Sequence, residues 1–183
     1  TVNVTEITAA EDTITIASTG TDTTTITGFD FGGTATDDDI EFSVGALNGT
    51  AGTIKISEAS TGDDVGTDAI VLLSVTAAGT DVGAAANNIF TLGGNYASTS
   101  ALETALETGG SLELIFGVMA AGDAYLVAYD NGVDTFIATV KTGAITDGSK
   151  AAADTLTVTN YVTLVGVSDA TSLVAGDFDA FVA

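Results

Sequence analysis

Apolar and polar residues alternate with a period of two through most of the chain. Val2, Val4 and Ile7, then Ile14 and Ile16, then Ile26 stand among threonines. Thr is β-branched, stiff at χ1 and suited to a pleated surface, so this pattern predicts strands over 2–8, 12–17 and 22–28. Further strands are expected at 39–44 (DIEFSV), 53–57, 69–75, 111–117, 124–130, 134–141, 154–160 and 161–167. Gly, Asn and Asp punctuate these runs, and Asp130-Asn131-Gly132 between two alternating stretches is a hairpin signal.

One segment leaves the period of two. Ser100 and Glu103 have the spacing of a capping box, Leu102, Ala105 and Leu106 share one helical face, and Gly109-Gly110 follows. A short amphipathic helix near 100–108, packed on a sheet, is predicted. The expected class is all-β, mostly antiparallel and sandwich-like, with that one helix. Two organisations fit: a single β-rich domain over 1–183, or subdomains at 1–78 and 88–183 joined by the Gly/Ala-rich stretch 76–88.

Charge narrows the picture. There are 25 Asp and Glu against three lysines (Lys55, Lys141, Lys150), no Arg and no His, for a net charge of −22. Nothing can neutralise phosphates, so nucleic acid is excluded as a partner. Self-repulsion of this size opposes compaction unless salt screens it or bound cations cancel it. The hydrophobic share of 45% still predicts a packed fold. No stretch approaches the ~18 consecutive apolar residues of a membrane helix, so no membrane insertion is expected. TVNVTEIT has no basic region before an apolar core and does not read as a Sec signal. Proline is absent, which removes one of the usual guards of sheet edges and suits a protein that pairs with copies of itself.

The residue types also exclude most catalysis. Without His or Cys there is no Ser-His-Asp or Cys-His constellation and no His- or Cys-based zinc site. Paired carboxylates abound by composition, but Trp, the usual sugar platform, is missing. The protein is therefore not expected to be an enzyme. Oxygen-rich clusters suit Ca²⁺ better. The candidates are Asp37, Asp38 and Asp39 with Glu41; Asp63 and Asp64 with Asp68; Asp130 and Asn131 with Asp134; and Asp177 with Asp179.

Residues 24–44, TTITGFDFGGTATDDDIEFSV, resemble the segment that follows the nonapeptide repeats in RTX proteins and serralysin-type C-terminal domains. On that match Asp30 and Asp39 take the acidic positions, and Ile26, Phe29, Ile40 and Phe42 face the core. Thr27-Gly28 departs from the pattern, where an acidic residue usually precedes the phenylalanine. Segments 124–140, 154–167 and 172–183 resemble the closing part of type I secreted proteins, with Asp177, Phe178, Asp179, Phe181 and Val182 filling the acidic-then-apolar ending. The G-G-x-G-x-D repeats themselves do not occur, and Gly32-Gly33 and Gly93-Gly94 are isolated. The resemblance is thus to the non-repeat C-terminal region of that family, or to a related bacterial surface-layer or filament protein. It implies export and an extracellular or cell-surface location. The expected function is a structural subunit that self-assembles with Ca²⁺. The alternatives are a secretion or anchoring module of a larger exported enzyme or adhesin, and a β-sandwich that binds cell-surface glycan through Tyr96, Tyr125, Tyr129 and Tyr161.

Overall fold

A strand apolar at every second position needs cover on one face, and a strand apolar throughout needs it on both. AYLVAYD is of the second kind, and all seven of its residues are buried. The computed structural model describes residues 1–5, 10–17, 22–34, 36–43, 70–82, 89–116, 122, 124–143, 151–152 and 155–182. Among the described residues the strands are β1 (Val2–Asn3), β2 (Thr13–Ile16), β3 (Thr24–Thr27), β4 (Asp39–Ser43), β5 (Leu72–Val75), β6 (Thr80–Asp81) and β7 (Ile89–Asn95). After helix α1 (Thr99–Leu106) come β8 (Leu114–Phe116), β9 (Ala124–Asp130), β10 (Thr135–Thr142), β11 (Ala151–Ala152), β12 (Leu156–Val165) and β13 (Phe178–Val182). The strand expected at 53–57 and the acidic cluster Asp63, Asp64 and Asp68 lie outside the described residues.

A seven-stranded sheet in the order β1-β3-β12-β10-β9-β7-β5 is the centre of the fold. It is mixed rather than mostly antiparallel. The β9–β10 hairpin and the β10–β12 pair are antiparallel, whereas β1–β3, β3–β12, β7–β9 and β5–β7 are parallel. The parallel pairs arise because β3, β5 and β7 reach the sheet by long connections rather than by tight turns. Strands from both sides of residue 80 enter this one sheet, and β6, within the predicted linker, pairs with β8.

Each face of the large sheet has its own core. On one face Ala124, Leu126, Ala128, Ile137 and Leu164 meet an all-parallel sheet, β13-β4-β2, whose Ile14, Ile16, Ile40, Phe42, Phe178 and Phe181 point inward. Phe42 lies 6.1 Å from the Phe178 ring and 5.9 Å from that of Phe181. Ile26, Phe29, Ile40 and Phe42, expected inside, are buried. On the other face Phe90, Leu92, Tyr125, Val127, Tyr129, Val140, Leu156 and Val158 are covered by Leu102 and Leu106 of α1, with Leu112 and Leu114 beside them. Phe90 meets Tyr125 edge-on at 5.1 Å. Each large aliphatic or Phe side chain so buried is worth about 1.5–3 kcal/mol.

The strands expected at 154–160 and 161–167 are one strand, β12, broken in phase by a bulge. Val162 pairs with Ile137 but Asn160 with Ala138, so Tyr161 is the extra residue. Leu156 and Val158 therefore serve one core while Tyr161, Val162 and Leu164 serve the other. A strand without the bulge would keep all of its even-numbered positions on one face. β7 escapes the alternation test for a related reason. Ile89, Phe90, Thr91 and Leu92 are consecutive and all buried, as expected of a parallel strand covered on both faces.

The helix also differs from expectation at its start. Ser98, not Ser100, is the N-cap, accepting the Ala101 N–H at 3.2 Å, and Glu103 turns away from the cap. The Gly109-Gly110 stop is as expected, with the Gly110 N–H donating to the Glu107 carbonyl at 2.8 Å. A Cβ at Gly110 would strike the carbonyl oxygens of Thr104 and Ala105. Gly110→Ala is expected to destabilise the protein by about 1–3 kcal/mol in urea unfolding, because the clash is with backbone that has nowhere to move.

Candidate functional site

Sheet registry gathers acids that are far apart in sequence. β2 and β13 flank β4, so Thr13 pairs with Asp39 and Phe178 with Ile40. The segments before β2, before β4 and before β13 therefore end side by side, and each is acidic. This joins Asp30, Asp37, Asp38 and Asp39 to Asp177 and Asp179, which the sequence presents as separate clusters. It also brings in Glu11 and Asp12, which sequence reasoning missed: Asp39 donates its N–H to the Asp12 carbonyl at 2.9 Å, and the Glu11 charge acts on Asp39. Asp37, Asp38 and Asp177 are buried, Asp39 and Glu41 are half-buried, and Asp30 and Asp179 are exposed. Glu41 accepts from the Thr15 hydroxyl at 2.9 Å.

Most of these carboxylates are occupied by backbone N–H groups. Asp38 Oδ2 accepts from the Asp30 N–H at 2.9 Å, while the Asp38 N–H donates to the Asp30 carbonyl. Asp37 Oδ2 accepts from the Thr34 N–H at 2.7 Å, so the loop 30–38 is closed on itself. Asp177 then grips that loop from outside. Its Oδ1 accepts from the N–H groups of Gly32 (2.6 Å) and Gly33 (3.1 Å), and its Oδ2 from that of Val174 (2.7 Å). Gly32 and Gly33 both have positive φ, so their consecutive amides form a concavity suited to an anion, and the protein's own carboxylate fills it. The approach is close: a Cβ on Gly176 would lie 2.6 Å from Gly33 Cα.

Two of these acids are perturbed. Burial raises the Asp177 carboxyl above its ordinary value of 3.8, with the three N–H donors pulling the other way and Asp37 adding to the rise. Burial also raises Asp39, and Glu11, Asp179, Asp177 and Asp37 all push in the same direction. Asp39 is thus the focus of negative charge supplied from three segments of the chain.

The hairpin tip forms a second grouping. Asp130 Oδ1 accepts from the Gly132 N–H at 2.9 Å and Oδ2 from the Ala170 N–H at 3.1 Å. Asn131 Oδ1 accepts from Val133 and Asp134, and Asp134 Oδ1 from the Gly166 N–H at 2.9 Å. These three residues, grouped as a candidate cation cluster, fasten the β9–β10 turn to the segment after β12. Asp169, which sequence reasoning did not single out, caps the adjoining 3₁₀ turn through the Thr171 N–H. Among the described residues no set of three or more His, Cys, Asp or Glu side chains is arranged to hold a metal ion. No helix among them is long and apolar enough to cross a membrane.

No family model, curated protein or solved structure matches this chain. The chemistry of the acidic end must therefore be read from its own geometry. Asp177 and the loop 30–38 form a closed, self-satisfied unit, and Asp39, Asp179 and Glu11 beside it form an unbalanced patch of negative charge.

The two kinds of acid predict opposite mutational signs. Asp177→Ala leaves three N–H groups without their acceptor, and is expected to cost about 1–3 kcal/mol in urea unfolding, with faster amide exchange at Gly32 and Gly33. For Asp39 the raised folded value means that, between pH 3.8 and that raised value, the native state holds a proton which the unfolded chain has released. Its contribution is therefore full below the ordinary value of 3.8 and is lost as pH climbs through the raised one. Asp39→Asn is expected to raise the melting temperature at pH 7 by a few degrees. The gap from the parent protein should close as pH falls toward the ordinary carboxylate range, and a gap independent of pH would contradict this.

Proposed function

We propose that this protein is an extracellular structural subunit that self-assembles into a surface layer or filament, with Ca²⁺ neutralising its acidic end. The carrying observation is that Asp39, whose burial already disfavours its ionised form, is also crowded by Glu11, Asp179, Asp177 and Asp37, which add to that cost in the isolated chain. A divalent cation shared between copies relieves that cost in a way that monovalent screening does not. The oxygens of Asp177 are already committed to backbone N–H groups, so the role fitted to this end is bridging at Asp39, Asp179 and Glu11 rather than an internal cage. The glycan-binding alternative finds little support, because Tyr125, Tyr129 and Tyr161 are fully buried and offer no stacking surface, and the Tyr96 hydroxyl is bonded to the Gly93 carbonyl.

Light scattering and electron microscopy in Ca²⁺, in EGTA and in NaCl at matched ionic strength test this reading. Assemblies are expected with Ca²⁺ and are expected to disperse in EGTA. Assemblies unchanged by EGTA, or none in any of the three, would overturn it.

A further inference from the structure

β12 is paired on one edge by β10 from Leu156 to Leu164, apart from the bulge at Tyr161, but β3 pairs with it only from Val162 to Val165. From Leu156 to Asn160 the second edge has no strand partner among the described residues. Two of the outward N–H groups there are taken by carboxylates of α1 and its C-cap residue. The Val158 N–H donates to Glu103 Oε1 at 2.8 Å and the Leu156 N–H to Glu107 Oε1 at 2.9 Å. The match is metric. Four residues of helix rise about 6 Å, and two residues of strand advance about 6.6–6.8 Å, so carboxylates at i and i+4 fall opposite alternate amides of a strand running the other way. The two glutamates stand where the carbonyls of a neighbouring strand would stand.

The strand they cover carries no charge of its own. From Thr155 to Ser168 there is no charged residue, in a protein of net charge −22. The segment is rich in Val and Thr, with two Leu and Tyr161, a composition that pairs readily with itself. Two copies of this protein carry the same large net charge, and along this strand they have no like charges to oppose. Natural sheets protect such edges with charge or with a covering element, and here one helix supplies both.

We infer that Glu103 and Glu107 are gatekeepers of a homotypic docking edge, and that the partner they exclude is β12 of a second copy, added antiparallel across a two-fold axis. An antiparallel pair of identical strands is self-complementary, so one edge suffices for a closed dimer. The inference shares with the self-assembly reading only the premise that copies of this chain associate, without the calcium step, and it names a site: α1 must yield for the sheet to continue from one copy to the next.

The test uses the full chain in EGTA, so that calcium-promoted assembly plays no part. At low concentration the E103A/E107A variant should show exchange of the Leu156 and Val158 amides faster by about tenfold or more, since each loses a charge-assisted acceptor. The Val162 and Leu164 amides, beside β3, should not change. As concentration rises the variant should become a dimer by light scattering and the two amides should regain protection, while the parent protein stays monomeric. Adding Thr157→Glu to the double variant should restore the monomer without restoring low-concentration protection. If E103A/E107A does not fold, Glu107→Ala alone keeps one latch and should give a weaker dimer, with exchange faster at Leu156 only. A folded variant that remains monomeric at every concentration would overturn the inference, as would a dimer indifferent to Thr157→Glu. A parent protein that fails to assemble with Ca²⁺ sinks the calcium reading and leaves this one standing. A monomeric alanine variant does the reverse.

Discussion

All seven side chains of β9 are out of water, so both faces of the large sheet have to be roofed. That constraint sets the tasks of the remaining chain. One roof is the parallel sheet β13-β4-β2, which brings its own phenylalanine cluster, and the other includes α1. β12 runs beneath both, and its bulge at Tyr161 lets a single strand contribute to each core in turn. Without it the apolar positions at 162 and 164 would fall on the same side as 156 and 158, and the roof over Ile137 would lose its floor.

Roofing a sheet with a chain so acidic means that carboxylates end up inside, and buried charge is normally paired with charge. Lys141 is the one lysine among the described residues, so the pairing is made with backbone amides instead. Charge-assisted bonds of this kind return about 1.5–3 kcal/mol each, enough to hold a loop when several converge. Asp177 receives three, Asp130 two, and Glu103 and Glu107 one each from a strand edge. Many of the acids therefore act as fasteners. The unbalanced remainder is concentrated near Asp39, where registry rather than local sequence piles up like charges.

Strand existence was legible where residues alternate or where a β-rich apolar run ends at clear turn residues. The runs at 12–17, 22–28, 39–44 and 134–141 correspond to β2, β3, β4 and β10, and 124–130 matches β9 residue for residue. β7 was not legible, because Ile89-Phe90-Thr91-Leu92 carries no period and the strand runs on through two glycines. Strand direction was also beyond reach: threonine-rich alternation looks the same in a parallel pair as in an antiparallel one. The candidate site was half visible. Asp37 to Asp39 and Asp177 with Asp179 stood out as clusters, but their union with Glu11 depends on β2 and β13 flanking β4, a fact of topology. The capping-box spacing of Ser100 and Glu103 misled for an instructive reason. Ser98 competes for the cap, and Glu103 gains a better partner in an amide of β12, 55 residues away.

The same shortage of positive charge explains why edge protection here takes the form of glutamate. Lysine and proline are the common guards of an open edge, and this chain has three of the first and none of the second. A carboxylate can do the same work only where it meets N–H groups rather than carbonyls, which restricts it to the outward amides of a strand. Leu156 and Val158 present two such amides at a spacing that a helix can match, and α1 lies over them because Leu102 and Leu106 must cover Tyr129 and its neighbours in any case. The guard is thus a by-product of the roof: the apolar face of the helix fixes its position on the sheet, and its acidic positions then fall on the edge of the strand that most needs covering.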